Sequence, residues 1–140
     1  MADCVSSDLR RRIMASIKAK DTKAELMVRR HLHRQGFRYR INDRRLPGTP
    51  DIVLPKYRTV IFVNGCFWHV HQGCARSTLP KSNREFWREK LAKNVERDRR
   101  TTALLLSQGW RVIVVWECEL ATKRLAQETL DGLVNEIYNN

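Results

Sequence analysis

The sequence predicts an α/β fold in which a mixed central sheet is flanked by helices. Two apolar runs, at 59–63 (TVIFV) and 110–116 (WRVIVVW), read as strands buried on both faces. Capping signals and apolar spacing mark helices before, between and after them. The resulting order, α, α, β, β, β, α, β, α, suits a sheet covered by helices. A chain of 140 residues is expected to form one domain.

The first nine residues read as frayed. Arg10, Arg11 and Arg12 then precede Ile13, Met14 and Ile17, spaced as a short helix with a basic face. That face is either solvated or a DNA-contacting arm. Thr22-Lys23-Ala24-Glu25 has the form of a capping box and opens a helix with Ala24, Val28 and Leu32 on one side and Gly36 as its stop. Capping alone accounts for Glu25 at this point. Phe37, Tyr39 and Ile41 alternate with Arg38 and Arg40, as in a half-buried strand. Residues 46–50 (LPGTP) form a turn, 51–54 (DIVL) a short strand, and 55–58 turn the chain back into the run at 59–63. Ser82-Asn83-Arg84-Glu85 is a second capping box ahead of a long helix that Gly109 closes. A final helix carries Leu125, Leu130, Leu133, Val134 and Ile137 in register.

Composition narrows the function. Lys and Arg number 27 against 15 Asp and Glu, a net charge of +12, and such a surplus attracts polyanions, nucleic acid first among them. The hydrophobic fraction of 42% excludes wholesale disorder. An anionic membrane is the rival partner. However, MADCVSSDLRRR carries no myristoylation pattern or secretory core, and no apolar run approaches membrane-spanning length. A cytoplasmic protein is expected, with reduced cysteines available for metal ligation.

The chemistry concentrates between Pro50 and Cys74. Cys66 and Cys74 bracket His69 and His71, and Cys118 ends a later strand. Three cysteines and one histidine form a typical structural zinc set, although spacing leaves either histidine as the ligand. Cys4 stands apart. Asp51 opens an apolar strand, where a charge needs a partner such as Mg2+ or else serves only as a turn residue after Pro50. Phosphodiester hydrolysis needs such a cation and a base, and His69 suits the base. Phe67 and Trp68 either pack over the zinc site or wedge between base pairs. Trp87 is expected in helix packing. Arg84, Arg88, Lys93, Arg97, Arg99 and Arg100 suit a face that tracks phosphates.

These residues carry a resemblance. Pro50-Asp51, the string from Phe62 through Gly65-Cys66-Phe67-Trp68-His69, Asn94 to Arg100 (NVERDRR), and Gly109 through Trp116-Glu117-Cys118 are similar to the very short patch repair endonucleases. These are prokaryotic enzymes that nick DNA beside a T:G mismatch. The similarity runs from about Arg12 to about Glu119. It implies a restriction-endonuclease-like three-layer core within a single domain: residues 1–20 as a DNA-contacting arm and 21–140 as the catalytic core. It further implies that Asp51 and the Val63 backbone carbonyl hold Mg2+, that Glu25 supports the site, and that His69 is the general base with Asp98 at its edge. Cys66, His71, Cys74 and Cys118 would bind Zn2+. Met14, Phe67 and Trp68 would wedge into DNA, and Arg12, Arg84, Lys93 and Arg97 would contact it. The expected substrate is double-stranded DNA with a T:G pair, cut 5′ to the mispaired T by a monomer that works with other repair proteins. The alternatives are a restriction-type nuclease with another target and an inactive zinc-dependent DNA-binding module. Two departures stand out. Asn64 occupies a position where a known member of the family has a histidine beside the metal, and Gln72 and Gly73 place two residues between His71 and Cys74 where one is expected.

Overall fold

The computed structural model describes residues 22–139, so Cys4, Arg12, Met14 and the expected N-terminal arm lie outside the described residues. Within them the order is helix α1 (Lys23–Arg34), strands β1 (Arg40–Ile41), β2 (Ile52–Leu54) and β3 (Thr59–Asn64), helix α2 (Arg84–Ser107), strand β4 (Arg111–Trp116) and helix α3 (Lys123–Tyr138). Among the described residues the sheet has four strands in the order β1-β2-β3-β4. The first two pairings are antiparallel and β3 pairs β4 in parallel, with Thr59 opposite Arg111 and Asn64 opposite Trp116. The sheet is therefore mixed, as the sequence predicts.

Alternation along the strands sorts side chains between two cores. Ile52, Leu54, Ile61, Ile113 and Val115 pack with Val28 and Leu32 of α1 and with Leu130, Leu133, Val134 and Ile137 of α3. The opposite residues Val53 and Val60 meet Leu105 of α2, with Phe62, Trp110 and Val112 at the margin. Helices thus cover both faces. Truncating a fully buried residue such as Leu32 to Ala should cost about 2–5 kcal/mol.

Several local expectations change. Thr22 caps α1 by accepting from the Glu25 amide at 3.2 Å, whereas the Glu25 carboxylate receives Arg29 Nη2 at 3.1 Å. The second helix starts one residue later than expected: Asn83 is the N-cap, in a left-handed conformation (φ 56°) and with no cap bond from its own side chain. That geometry carries its side chain away from the amides an extended cap would serve. Glu85 pairs instead with Arg88 at 3.0 Å. The strand expected over 37–41 shrinks to two residues, because it pairs on one side only and Asn42 turns left-handed just after it. Ile41 is consequently exposed, while Phe37 is buried. In α3, Leu125 is exposed and Ala126 takes the buried position. Gly109 ends α2 as expected, at φ 86°, a conformation that favours glycine.

Candidate active site

The end of β3 and the loop after it gather most of the singled-out residues. Asp51 lies one residue before β2, and its Oδ2 accepts the Val63 amide at 2.7 Å. The Val63 amide thus fixes Asp51, while the carbonyl that the resemblance assigns to the metal is a separate group of the same residue. Burial pushes the Asp51 carboxyl up to about 6. The Val63 hydrogen bond opposes the shift, the Glu25 charge adds to it, and His69 and Arg29 pull it back. Glu25 and Arg29 are themselves buried and joined one helical turn apart. Arg29 is not legible as a site residue, since an i, i+4 acid–base pair on a helix usually faces water.

His69 Nδ1 lies 2.5 Å from Asp98 Oδ2, which joins the loop to the middle of α2. The carboxylate holds the Nδ1 proton, so Nε2 keeps a free lone pair. Both side chains line a cavity of about 200 Å3 with Asn64, Phe62, Thr101, Thr102, Val95, Val114 and Trp116. Asn64, His69 and Asp98 therefore converge on one cavity, and His69 is close enough to Asp51 for their charges to interact.

On the other side of the loop, the candidate ligand atoms of Cys66, His71, Cys74 and Cys118 all lie within 4.8 Å of one another. His71 Nδ1 is 3.4 Å from Cys118 Sγ, and its ring stacks on Trp116 at 4.1 Å. Three thiols and an imidazole converging so closely fit a tetrahedral Zn2+ site. The ambiguity between the histidines resolves here: His71 faces the cysteines and His69 faces Asp98. Val70 between them is left-handed (φ 49°), strained for a β-branched residue, and the two rings leave the chain in different directions. Gln72 and Gly73 are accommodated with Gly73 at φ 72°. Burial raises the Cys66 thiol to about 12, so a metal there must displace a firmly held proton. The Cys66 amide donates to Glu117 Oε1 at 3.1 Å, a clasp from the end of β4 with no sequence signal beyond its place beside Cys118.

Phe67 and Trp68 stand edge to face at 5.3 Å, and both touch Trp87 of α2, at 5.4 and 5.7 Å. Trp87 packs as expected, and its partners make it the third member of a half-buried aromatic group, with exposed Phe86 against it at 5.1 Å. Asn94, buried in α2, donates to the Trp68 carbonyl at 3.1 Å and accepts Arg97 Nη2 at 3.1 Å. Arg84, Lys93, Arg97 and Arg100 are exposed on α2. Arg88 and Arg99 are committed to pairs with Glu85 and Glu96, which weakens their share of a phosphate-tracking face.

Residues 2–76 match the family described as DNA mismatch endonuclease Vsr. The type II nicking enzyme V.NmeAIP of Neisseria meningitidis is 50% identical over 137 residues, covering 98% of this chain and 97% of that protein. The type II nicking enzyme V.XorIIP of Xanthomonas oryzae is 49% identical over 121 residues, 86% of this chain and 88% of its own length. DNA mismatch endonuclease Vsr of Escherichia coli is 44% identical over 137 residues, 97% of this chain and 87% of its own. A basic chain that buries a carboxylate beside a histidine–aspartate pair, and that shares nearly half its residues with these proteins along nearly its whole length, belongs to the Vsr family and is a DNA endonuclease, a hydrolase of phosphodiester bonds.

Proposed function

We propose that the protein nicks double-stranded DNA on the 5′ side of the mispaired thymine in a T:G mismatch, the lesion left when 5-methylcytosine deaminates. The observation that carries this is the His69–Asp98 pair facing a cavity beside the buried Asp51. Asp51 would hold Mg2+, with Glu25 behind it and Val63 fixing the carboxylate. When bound, the cation supplies positive charge to the phosphate oxygens in the transition state. His69 Nε2 takes a proton from the attacking water while Asp98 steadies the imidazolium. Water adds to phosphorus, one P–O bond breaks, and the leaving oxygen departs with a proton. Asn64 offers a neutral hydrogen bond to a phosphate oxygen, not a proton relay.

Cys66, His71, Cys74 and Cys118 would hold a structural Zn2+ that fixes the loop. Phe67 and Trp68, with Trp87 beside them, form a rigid apolar group suited to wedging between base pairs. A T:G pair stacks less well than a Watson–Crick pair, so distorting it costs less, and a wedge turns that difference into specificity. Met14 would enter from the N-terminal arm, and Arg12, Arg84, Lys93 and Arg97 would contact the DNA. We read the whole chain as one restriction-endonuclease-like domain acting as a cytoplasmic monomer, with other repair proteins as partners. No helix among the described residues is long and apolar enough to cross a membrane.

The test is single-turnover nicking of matched and T:G duplexes, with and without Mg2+, by the wild type and Asp51→Ala. The wild type should nick the T:G duplex far faster. The variant should lose nicking yet keep zinc and DNA binding. Equal wild-type rates on both duplexes would favour a restriction-type target instead.

A further inference from the structure

The loop between β1 and β2 holds an arginine in a way that solvation does not explain. Asp43 is buried, and its carboxylate accepts three hydrogen bonds from Arg45, from the amide, Nε and Nη2, each at 3.0 Å. These bonds hold the Asp43 carboxyl down at about 2. The Arg45 side chain itself is 71% exposed. Its Nε edge is fixed, while the edge formed by Nη1 and the second Nη2 hydrogen has no partner among the described residues and faces outward.

This loop is stapled to the backbone at Asp51. The Asn42 amide donates to the Asp51 carbonyl at 3.1 Å and the Asp43 amide to the Pro50 carbonyl at 3.3 Å. Leu46 packs in the core on the α2 side, and a Cβ at Gly48 would collide with Thr101, which lines the same cavity as His69 and Asp98. The loop that carries Arg45 is thus held against the backbone at Asp51 and against the Thr101 wall of the cavity.

We propose that Arg45, buttressed by Asp43, is a specificity-determining contact that reads a guanine edge next to the cleavage site. The inference rests on the proposed nuclease reading at Asp51. Charge decides between base and phosphate as the ligand. A guanidinium paired to a carboxylate adds almost nothing to the long-range field, so its worth to phosphate binding is small. What remains is direction: two parallel N–H donors, held rigidly, match O6 and N7 of guanine in the major groove. Arg40, 3.8 Å from the same carboxylate, and Arg44 beside it in the loop are both exposed, so phosphate attraction at this loop falls to them rather than to the clamped Arg45.

The test compares wild type, Arg45→Lys and Arg45→Ala on duplexes holding one T:G pair with every flanking base pair varied. Context preference is read in single-turnover nicking and again in equilibrium binding across a salt series. The wild type should favour guanine at one flanking position by roughly tenfold to a hundredfold. Both variants should flatten that preference, leaving the slope of binding against salt unchanged. A uniform loss over all contexts with the slope reduced by about 1 would make Arg45 a phosphate contact and overturn the inference. Unchanged preference in both variants would also overturn it, leaving an exposed ion pair. Context-dependent binding without nicking would strike the proposed reaction and leave the guanine contact standing.

Discussion

A carboxylate that titrates near 6 is ionised at neutral pH against the pull of its surroundings, and in Asp51 the pull is chiefly burial, with Glu25 adding to it. The folded protein binds this proton more readily than the unfolded chain does. Stability from Asp51 is therefore full below about pH 4 and falls as pH rises through 6. In metal-free protein, Asp51→Asn should raise stability at pH 7.5 by on the order of 1–3 kcal/mol, with the gain shrinking by about half near pH 5. Thermal melts at the two pH values check this, and an equal gain at both would remove burial of charge as the cause. At His69 the expected outcome is different in kind. His69→Ala should lose about a hundredfold to ten-thousandfold in nicking rate, because the imidazole that would take the water's proton is gone. Asn64→His should keep or raise the rate, and equal small losses at both positions would make solvent the base. Asp51, His69 and the three cysteines are legible in the sequence because their residue types carry their chemistry. Arg29, Glu117 and the Asp43–Arg45 fork are not, because their meaning comes from burial and from partners that folding supplies.

At the scale of elements, α2 does more than cover the sheet. It contributes Asp98 to His69, Asn94 to the Trp68 carbonyl and Trp87 to the aromatic group, all along one side of a single helix. Trp87→Ala should therefore lower T:G nicking about as far as Trp68→Ala while zinc content holds, as single-turnover rates and metal analysis would show. The period of α2 could have pointed to this, since Trp87, Asn94 and Asp98 recur at intervals of seven and four residues. Its basic residues drew attention to the solvated face instead. At the far end of the molecule, Arg111 donates to the carbonyls of Glu136, Ile137 and Asn139, closing the C-terminus of α3 with a positive charge. Arg111→Ala should cost about 1–3 kcal/mol in denaturant unfolding and leave the cluster of Cys66, His71, Cys74 and Cys118 untouched.

For the whole molecule, a net charge of +12 sets how binding responds to salt. If about six basic side chains meet phosphates, the log–log slope should be on the order of −5. A slope near zero would detach the charge from DNA. Among the described residues, period and punctuation revealed the order of elements because they are local; the mixed sheet follows from that order, since strands joined by a turn pair antiparallel and strands joined through a helix pair in parallel. Which face each helix covers is set by alternation in strands of only two to six residues, so it had to be seen. One arrangement has a kinetic side. Strands β3 and β4 are sheet neighbours, yet the chain between them must wind through a loop and all of α2 before they meet. His71 and Cys118, whose side chains lie 3.4 Å apart, are 47 residues apart in sequence. Parallel pairs of this separation are slow to find each other, since the closure entropy is lost before any strand contact is gained. A metal gripping both ends would shorten that search. Stopped-flow refolding of Cys118→Ser should thus be slower than wild type with zinc present, and wild type stripped by a chelator should slow to match it. The clamp beside the active site would then govern how fast the enzyme comes into being as well as how long it lasts.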